Sequence, residues 1–245
     1  MSGHSHYATI KRQKESKDAV KGKIFSKLAR AISVAVKTGG GPDPDANYKL
    51  RMAIDAARAS NMPKDNVERA ISKAGGEGED LQEVTYEGFG PYGVAVLVEV
   101  LTDNRNRTGQ EIKNIFERGG GSLGGPGSVS FNFEQKGQIL VKKEANLEDQ
   151  MLKLIDAGVE EMEETGDAIE IYVAQNKLRE VFKKVKESGL EIISSELVQK
   201  PKNFQVISDP EKVSKSLSFL NLLHDHDDVQ KVFANLDVPD EALSG

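Results

Sequence analysis

The first residues with a chemical use are cations that follow an aromatic ring near the start of the chain. Tyr7 is followed at short spacing by Lys11, Arg12, Lys14, Lys17 and Lys21. Ammonium and guanidinium groups neutralise phosphates, and an aromatic ring stacks on unpaired bases. The combination predicts nucleic-acid binding, and the alternative for Tyr7 is simple packing against a core.

A helical pattern suggests how these cations are presented. Apolar residues recur every four positions from Ile24 to Val36, and the same line extended backward meets Lys21, Lys17 and Lys14. The start of this helix therefore cannot lie on the same core, and we expect it to project as an arm or to fold only on a partner. A neighbouring face adds three further candidate nucleic-acid contacts, Lys23, Lys27 and Arg30.

The distribution of charge supports a basic arm on an acidic body. The chain has 245 residues, a formal net charge of -6 and a sequence pI of about 5.4. Residues 1–73 contain 15 Lys and Arg against 7 Asp and Glu, a charge of +8, so the remainder carries -14. An acidic body repels bulk nucleic acid and leaves the basic end as the attractive surface. The alternative is a solvated surface whose charges are unevenly distributed and bind no partner.

A second candidate anion site is the polar segment TDNRNRT, residues 102–108. Arg105 and Arg107 supply forked donors, and the N–H groups of a helix start attract anions, so the segment predicts a phosphate or carboxylate site. The spacing of Thr108 and Glu111 matches a capping box, which predicts that the helix starts at Thr108. The alternative is a polar turn that satisfies its own backbone.

Enzymatic and metal chemistry find little support in the sequence. The chain has four histidines and no cysteine, and no three metal ligands stand at a suitable spacing. The glycine-rich segments 38–43 and 119–128 lack the context of a nucleotide-binding loop. We therefore expect no enzyme, no cofactor, no metal and no small-molecule substrate. The absence of cysteine and of any long apolar run suits a cytoplasmic protein without a membrane partner.

The hydrophobic pattern predicts an α+β fold that begins with a three-helix bundle in residues 1–77. Asp43 and Pro44 have the types of a cap and first residue for the second helix. Residues 135–206 follow the order β-α-β-β-α-β of a ferredoxin-like domain.

The middle of the chain is predicted to form a discontinuous α+β domain from residues 78–134 and 207–245. GVAVLVEVL, residues 93–101, is apolar on both faces and predicts a central strand. Alternation over residues 128–134 predicts another strand, and the apolar residues from Val229 to Leu236 predict a last helix. The C-terminal helices lack a sheet of their own, so we expect them to fold back onto the middle one.

Six segments, in order, resemble the YebC/PmpR family, which includes the TACO translational activators of mitochondria. They are GHSHYATIK, GKIFSKLAR, GGGPDPDAN, NMPKDNVERAI, YEGFGPYGVAVLVEVLTDNRNRT and GGSLGGPGSVSFNF. The family usually has GHSKW at the start, where this chain has His6 and Tyr7, so stacking by the arm is expected to be weaker here. The resemblance implies three domains and a non-enzymatic, cytoplasmic regulator of gene expression.

Two roles stay open at this point. The first is a DNA-binding transcriptional regulator, and the second is a ribosome-associated translation factor that binds RNA and relieves stalling, for example at proline runs. The +8 charge of residues 1–73 suits both. The resemblance favours the DNA-binding role. No dimer seam is evident, which favours a monomer.

Overall fold

The N-terminal helices pack as the predicted bundle. The structure, a computed structural model, describes residues 18–74, 81–159, 161–239 and 242. The helices are α1 (Asp18–Thr38), α2 (Tyr48–Ala59) and α3 (Lys64–Ala74). Their shared core includes Ile32, which the four-residue stripe placed there.

The start of α2 differs from the prediction. The helix begins at Tyr48, and Asn47 rather than Asp43 is its cap. The Asn47 side chain accepts the N–H of Leu50 and donates to the carbonyl oxygens of Ala35 and Gly41. Asn47 is 0% exposed, so one buried amide ends the loop, caps α2 and holds it to α1. The sequence around the start of α2 does not reveal this cap, because the same side chain also contacts a different helix.

The middle sheet has four strands in the order β3-β1-β2-β9. Its strands are β1 (Gln82–Phe89), β2 (Ala95–Thr102), β3 (Ser122–Leu123) and β9 (Val229–Ala234). Two helices accompany this sheet, α4 (Arg105–Gly119) and α7 (Pro210–His224). The valines of β2 join the core that contains residues of both helices. The central position predicted for β2 is confirmed.

The helix predicted over residues 229–236 is wrong, because residues 229–234 form β9. Val232 pairs with Val98 and Phe233 with Leu97, in an antiparallel register. An apolar run this short fits a helix or a two-faced strand equally well. The long edge of β2 decides between them, since its backbone N–H and C=O groups need a partner.

The strand predicted over residues 128–134 is also wrong for most of its length. Ser130–Asn132 form a 3₁₀ turn, and the next strand begins at Phe133. The Glu87 carboxylate accepts the backbone N–H groups of Gly127, Val129 and Ser130 at 2.9–3.0 Å. These hydrogen bonds pull the glycine-rich segment into a compact loop instead of an extended strand.

A second four-stranded sheet and its helices consist of β4 (Phe133–Lys142), α5 (Leu147–Asp156), β5 (Glu161–Thr165), β6 (Ala168–Ala174), α6 (Leu178–Glu187) and β7 (Ile192–Pro201). The strand order is β5-β6-β4-β7. The first and third strands lie side by side in the centre, all pairs are antiparallel, and both helices contribute to one core. The α+β class and the ferredoxin-like order are confirmed.

The chain leaves the middle sheet after β3 and returns to it in β9. On the way back, β8 (Gln205–Val206) pairs in parallel with β10 (Leu236–Asp237). Residues 75–80 lie outside the described ones, so the domain bounds 1–77, 78–134 with 207–245, and 135–206 stay predictions. Among the described helices, none combines the length and apolar character of a membrane span.

We predict that Asn47→Ala lowers the free energy of unfolding by about 2 kcal/mol, because it removes the cap of α2 and the hydrogen bonds from the buried amide to the carbonyl oxygens of Ala35 and Gly41. Urea unfolding followed by circular dichroism measures the loss. Asp43→Ala is the matched control: Asp43 is exposed, and we expect its replacement to cost less than about 0.5 kcal/mol. A larger loss of unfolding free energy in Asp43→Ala would indicate that Asp43, rather than Asn47, caps α2.

Candidate nucleic-acid interface

The predicted arm lies at the edge of what the structure describes. Tyr7, Lys11, Arg12, Lys14 and Lys17 are outside the described residues. Lys21 lies within α1, without a described side chain. Nucleic-acid binding by these residues therefore stays a prediction.

The second basic row of α1 is directed at the body of the protein. Lys23 Nζ donates to the carbonyl oxygen of Asp225 at 3.3 Å, and Lys27 Nζ donates to that of His224 at 2.5 Å. Both carbonyls lie at the C-terminal end of α7, the negative pole of that helix. These cations were predicted as nucleic-acid contacts, and the structure gives them contacts within the chain.

Arg30 continues this row and reaches a buried carboxylate. Its Nη1 donates to the carbonyl oxygen of Asp227 at 3.2 Å and to Asp228 Oδ1 at 2.8 Å. The other oxygen of Asp228 accepts Arg107 Nη2 at 2.9 Å and Thr108 Oγ1 at 2.7 Å. We call Asp228, Arg30, Arg107 and Thr108 the Asp228 cluster. It joins α1, the start of α4 and the loop before β9.

The Asp228 carboxylate is ionised within this cluster. Asp228 is 4% exposed. Burial by itself raises the pKa of Asp228, but the hydrogen bonds from Thr108, Arg107 and Arg30 outweigh burial and lower the pKa from its ordinary value. The residue therefore contributes stability above about pH 4, the pKa of an unfolded Asp. That contribution is lost as the pH falls through the lower pKa of the folded state.

The segment 102–108 is organised differently from the prediction. Helix α4 begins at Arg105 and is capped by Asn104, whose side chain accepts the N–H of Arg107. Thr108 is therefore inside the first turn, and the predicted capping box is wrong. The Thr108 hydroxyl is buried and lies 2.7 Å from the Thr102 hydroxyl.

The two arginines of this turn have different surroundings. Besides Asp228, Arg107 pairs with Asp103 at 2.9 Å, so much of its charge is neutralised within the protein. Arg105 is exposed, and its carbonyl oxygen accepts the Tyr86 hydroxyl at 3.0 Å. The structure does not bring Arg105 and Arg107 together as one anion site. Arg105 stays the better candidate for an external anion.

Glu111, His226 and Asp228 converge within 4.8 Å and form a possible ligand set for a metal. His226 Nδ1 accepts the N–H of Asp228 at 3.2 Å, and Nε2 faces Glu111 Oε2 at 3.0 Å. The first contact assigns the proton of the neutral ring to Nε2, so neither nitrogen has a lone pair available for a metal. Both Asp228 oxygens are also occupied. The geometry fits a hydrogen-bonded network better than a metal centre.

A groove of about 620 Å³ runs beside the Asp228 cluster. Its cationic lining consists of Lys23, Arg30, Arg107 and Arg118. Its carboxylates are those of Glu111, Asp225, Asp227 and Asp228. These formal charges cancel when His226 is neutral, so the groove does not attract a polyanion by net charge.

Sequence reasoning missed Asp228 as the centre of this region. The contact from Thr108 to Asp228 spans 120 positions, and that from Arg30 spans 198. Asp228 ends the acidic run HDHDD, residues 224–228. No local spacing connects it with α1 or α4.

Comparisons with known proteins cover nearly the whole chain. A family model described as "TACO1/YebC protein N-terminal domain" matches residues 5–77, and one described as "TACO1/YebC second and third domain" matches residues 81–236. A relative from Dictyoglomus turgidum, named "Probable transcriptional regulatory protein", is 47% identical over 99% of this chain and 98% of its own length. A relative of the same name from Methylacidiphilum infernorum is 46% identical over 99% and 98%.

A solved structure shares the fold as well as the sequence. It is the crystal structure of a conserved hypothetical protein from Aquifex aeolicus, with a TM-score of 0.84 and 44% identity. The match covers 91% of this chain and 93% of that one.

We predict that Asp228→Asn lowers the free energy of unfolding by about 2–3 kcal/mol at pH 7, because it removes the charge that both arginines share and turns an amide N–H toward their donors. Urea unfolding measures the change. Asp227→Asn is the control, since the Asp227 side chain is 78% exposed and lies 4.0 Å from Lys23 Nζ. We expect that control to stay within about 0.5 kcal/mol. Equal losses would show that the Asp228 cluster adds nothing specific.

We predict that Arg107→Ala and Arg105→Ala separate stability from binding. Arg107→Ala should lower the melting temperature through the lost hydrogen bond to Asp228. Arg105→Ala should leave the melting temperature unchanged and weaken binding to a labelled nucleic acid. Thermal melts and fluorescence anisotropy of both variants provide the test. A stability loss for Arg105→Ala without a change in binding would make Arg105 structural.

Proposed function

The chain belongs to the TACO1/YebC family, and from this premise we propose that it is a nucleic-acid-binding regulator of gene expression that acts by binding rather than catalysis. The observation that carries the proposal is the charge division of the sequence. Residues 1–73 carry +8, whereas the rest of the chain carries -14. Neutralisation of phosphates supplies most of the affinity for nucleic acid, so a basic end on an acidic body favours that end as the main binding surface.

The contacts of α1 narrow the proposed binding surface. Lys23, Lys27 and Arg30 contact the segment 224–228, and the groove beside them has no net formal charge. This supports the arm, which we define as residues 7–21, as the main phosphate contact. Arg105 is the candidate that adds to it from the body.

The first candidate function is DNA-binding transcriptional regulation. It is supported by the relatives at 46–47% identity, each named "Probable transcriptional regulatory protein". In this reading the lysines of the arm track the phosphates of a DNA duplex. Affinity should then fall steeply with salt, by a slope of about 0.9 for each phosphate contact.

The second candidate function is that of a ribosome-associated translation factor. It is favoured by Tyr7, which precedes Lys11 and Arg12 in the arm. An aromatic ring among cations suits folded RNA with unpaired bases better than a closed duplex, because stacking needs an open base. In both functions the protein needs no cofactor or metal, and we expect it to act in the cytoplasm as a monomer.

We predict that the triple variant Lys14→Glu, Lys17→Glu and Lys21→Glu binds nucleic acid at least tenfold more weakly, because about three phosphate contacts are lost. Its melting temperature should match that of the unchanged protein, since the arm precedes the core. Fluorescence anisotropy with labelled DNA and RNA, at several salt concentrations, measures affinity and salt slope.

The control for total charge reverses three exposed lysines of the body, Lys113, Lys183 and Lys186. This control changes the net charge by the same amount as the arm variant and should retain most of the affinity for nucleic acid. If both triple variants lose the same affinity, net charge rather than the arm governs binding. If the arm variant binds normally, the proposed binding surface is wrong.

Sedimentation of a cell lysate through a sucrose gradient distinguishes the two functions. Migration with ribosomes in low and moderate salt, abolished in the arm variant, would support the translation factor. A protein that stays at the top of the gradient, yet protects promoter DNA, would support the transcriptional regulator.

A further inference from the structure

An exposed tyrosine lies beside two lysines at one end of the middle sheet. Tyr92 stands in the turn between β1 and β2 and is 43% exposed. The ammonium groups of Lys212 and Lys215, on the first turns of α7, lie over its ring at 5.7 and 5.8 Å from the centroid. Both lysines are exposed, and neither has a salt bridge within the part of the chain that the structure describes. We call these three residues the Tyr92 patch.

The backbone of Tyr92 is in a conformation that its side chain disfavours. Its φ is 60° and its ψ is 24°, in the left-handed region. Among the described residues, the other non-glycine residue with positive φ is Asn61, a type that tolerates this region. A bulky aromatic residue in this region is strained, and a glycine would avoid that strain. Strained residues of this kind concentrate at ligand sites, which makes Tyr92 a candidate for binding.

A buried ring holds the turn and the lysines on one rigid support. Phe219 is on α7, the helix that carries both lysines, and is 2% exposed. A Cβ atom on Gly90 would lie 2.6 Å from Phe219 Cε1, and one on Gly119 would meet the same ring. Two backbone segments therefore pack directly on Phe219, which also contacts Phe116 edge-to-face at 5.1 Å. The turn that carries Tyr92 and the helix that carries the two lysines are thus held together, so little ordering of the backbone is needed on binding.

The glycine-rich segment after α4 passes beside this patch. Lys215 Nζ lies 3.5 Å from the position that a Cβ of Gly120 would take. Gly120 is exposed and has a φ of 82°, so its backbone is open to a partner. Within the segment GGG, residues 119–121, Gly119 and Gly121 pack closely on their neighbours, and Gly120 is the open position next to Lys215.

We propose that the Tyr92 patch is a second nucleic-acid contact, which binds an unpaired nucleotide of a single strand. The Tyr92 ring stacks on the base, and Lys212 and Lys215 pair with the phosphates on either side of it. Lysine side chains are long and flexible, so an entering base displaces an ammonium group from the ring toward a phosphate. An acidic peptide would use the lysines but would gain little from a strained, exposed ring. The inference rests on the proposed function and adds a site that is separate in sequence from the arm.

The test uses the full chain and short labelled single strands of RNA and of DNA with one base sequence, each also in an abasic form. Tyr92→Gly removes the ring and relieves the backbone. We expect it to raise the melting temperature and to weaken binding of the base-containing strands about tenfold. Binding of the abasic strands should not change. A tyrosine with only a structural role would show no loss of affinity in this variant.

The paired charge reversal Lys212→Glu with Lys215→Glu should weaken binding of the base-containing and abasic strands alike, because it removes phosphate contacts. The matched control is Lys183→Glu with Lys186→Glu, two exposed lysines at the same spacing on α6. The control should retain the affinity of the unchanged protein. A stronger effect on RNA than on DNA would identify RNA as the strand that is bound.

The outcomes separate this inference from the proposed function. If Tyr92→Gly binds the base-containing strands as the unchanged protein does, or if both lysine pairs have equal effects, the Tyr92 patch is not a binding site. Loss of binding in the arm variant alone would then leave the proposed function in place. If the unchanged protein binds neither RNA nor DNA, both proposals fail. Poly-glutamate is added as a competitor of the labelled strands. If it displaces them from Tyr92→Gly as effectively as from the unchanged protein, the lysines form a site for an acidic peptide and the inference is overturned.

Discussion

The arrangement of the chain depends on one buried carboxylate, that of Asp228. It accepts hydrogen bonds from Arg30 of α1 and from Arg107 and Thr108 of α4. Removing an ionised carboxylate from water is costly unless charged donors surround it, and here two guanidinium groups and a hydroxyl do so. The contact therefore holds the helical bundle against the middle sheet at a defined point. Lys23 and Lys27 extend the same contact along α1.

This contact also determines where positive charge remains available. Lys23, Lys27, Arg30 and Arg107 have partners within the chain, and the groove that they line is neutral in formal charge. We therefore propose that a polyanion contacts groups that these intramolecular contacts do not use, namely the arm, Arg105 and the two lysines beside Tyr92. A protein with net charge -6 can bind nucleic acid in this way without being basic overall.

Packing on small residues positions the second group of these cations. Phe219 fills the space over Gly90 and Gly119, where any side chain would collide with its ring. Helix α7 is consequently close to the turn that carries Tyr92, and its first lysines reach the tyrosine ring. The same helix ends at the carbonyl groups that receive Lys23 and Lys27. One helix therefore connects the Tyr92 patch with the contact that holds α1 to the body.

The sequence alone determined the helical bundle, the ferredoxin-like order, the central position of β2 and the division of charge, because periodicity and composition are local properties. It could not decide that residues 229–234 are a strand, since a short apolar run becomes a strand only when the edge of β2 offers it hydrogen bonds. It placed the caps of α2 and α4 a few residues away from Asn47 and Asn104, because several polar residues competed for each position. The partners of Lys23, Lys27, Arg30 and Arg107 were decided by the tertiary structure. Those contacts span more than a hundred positions, and only the return of the chain to the middle sheet brings Asp228 to them.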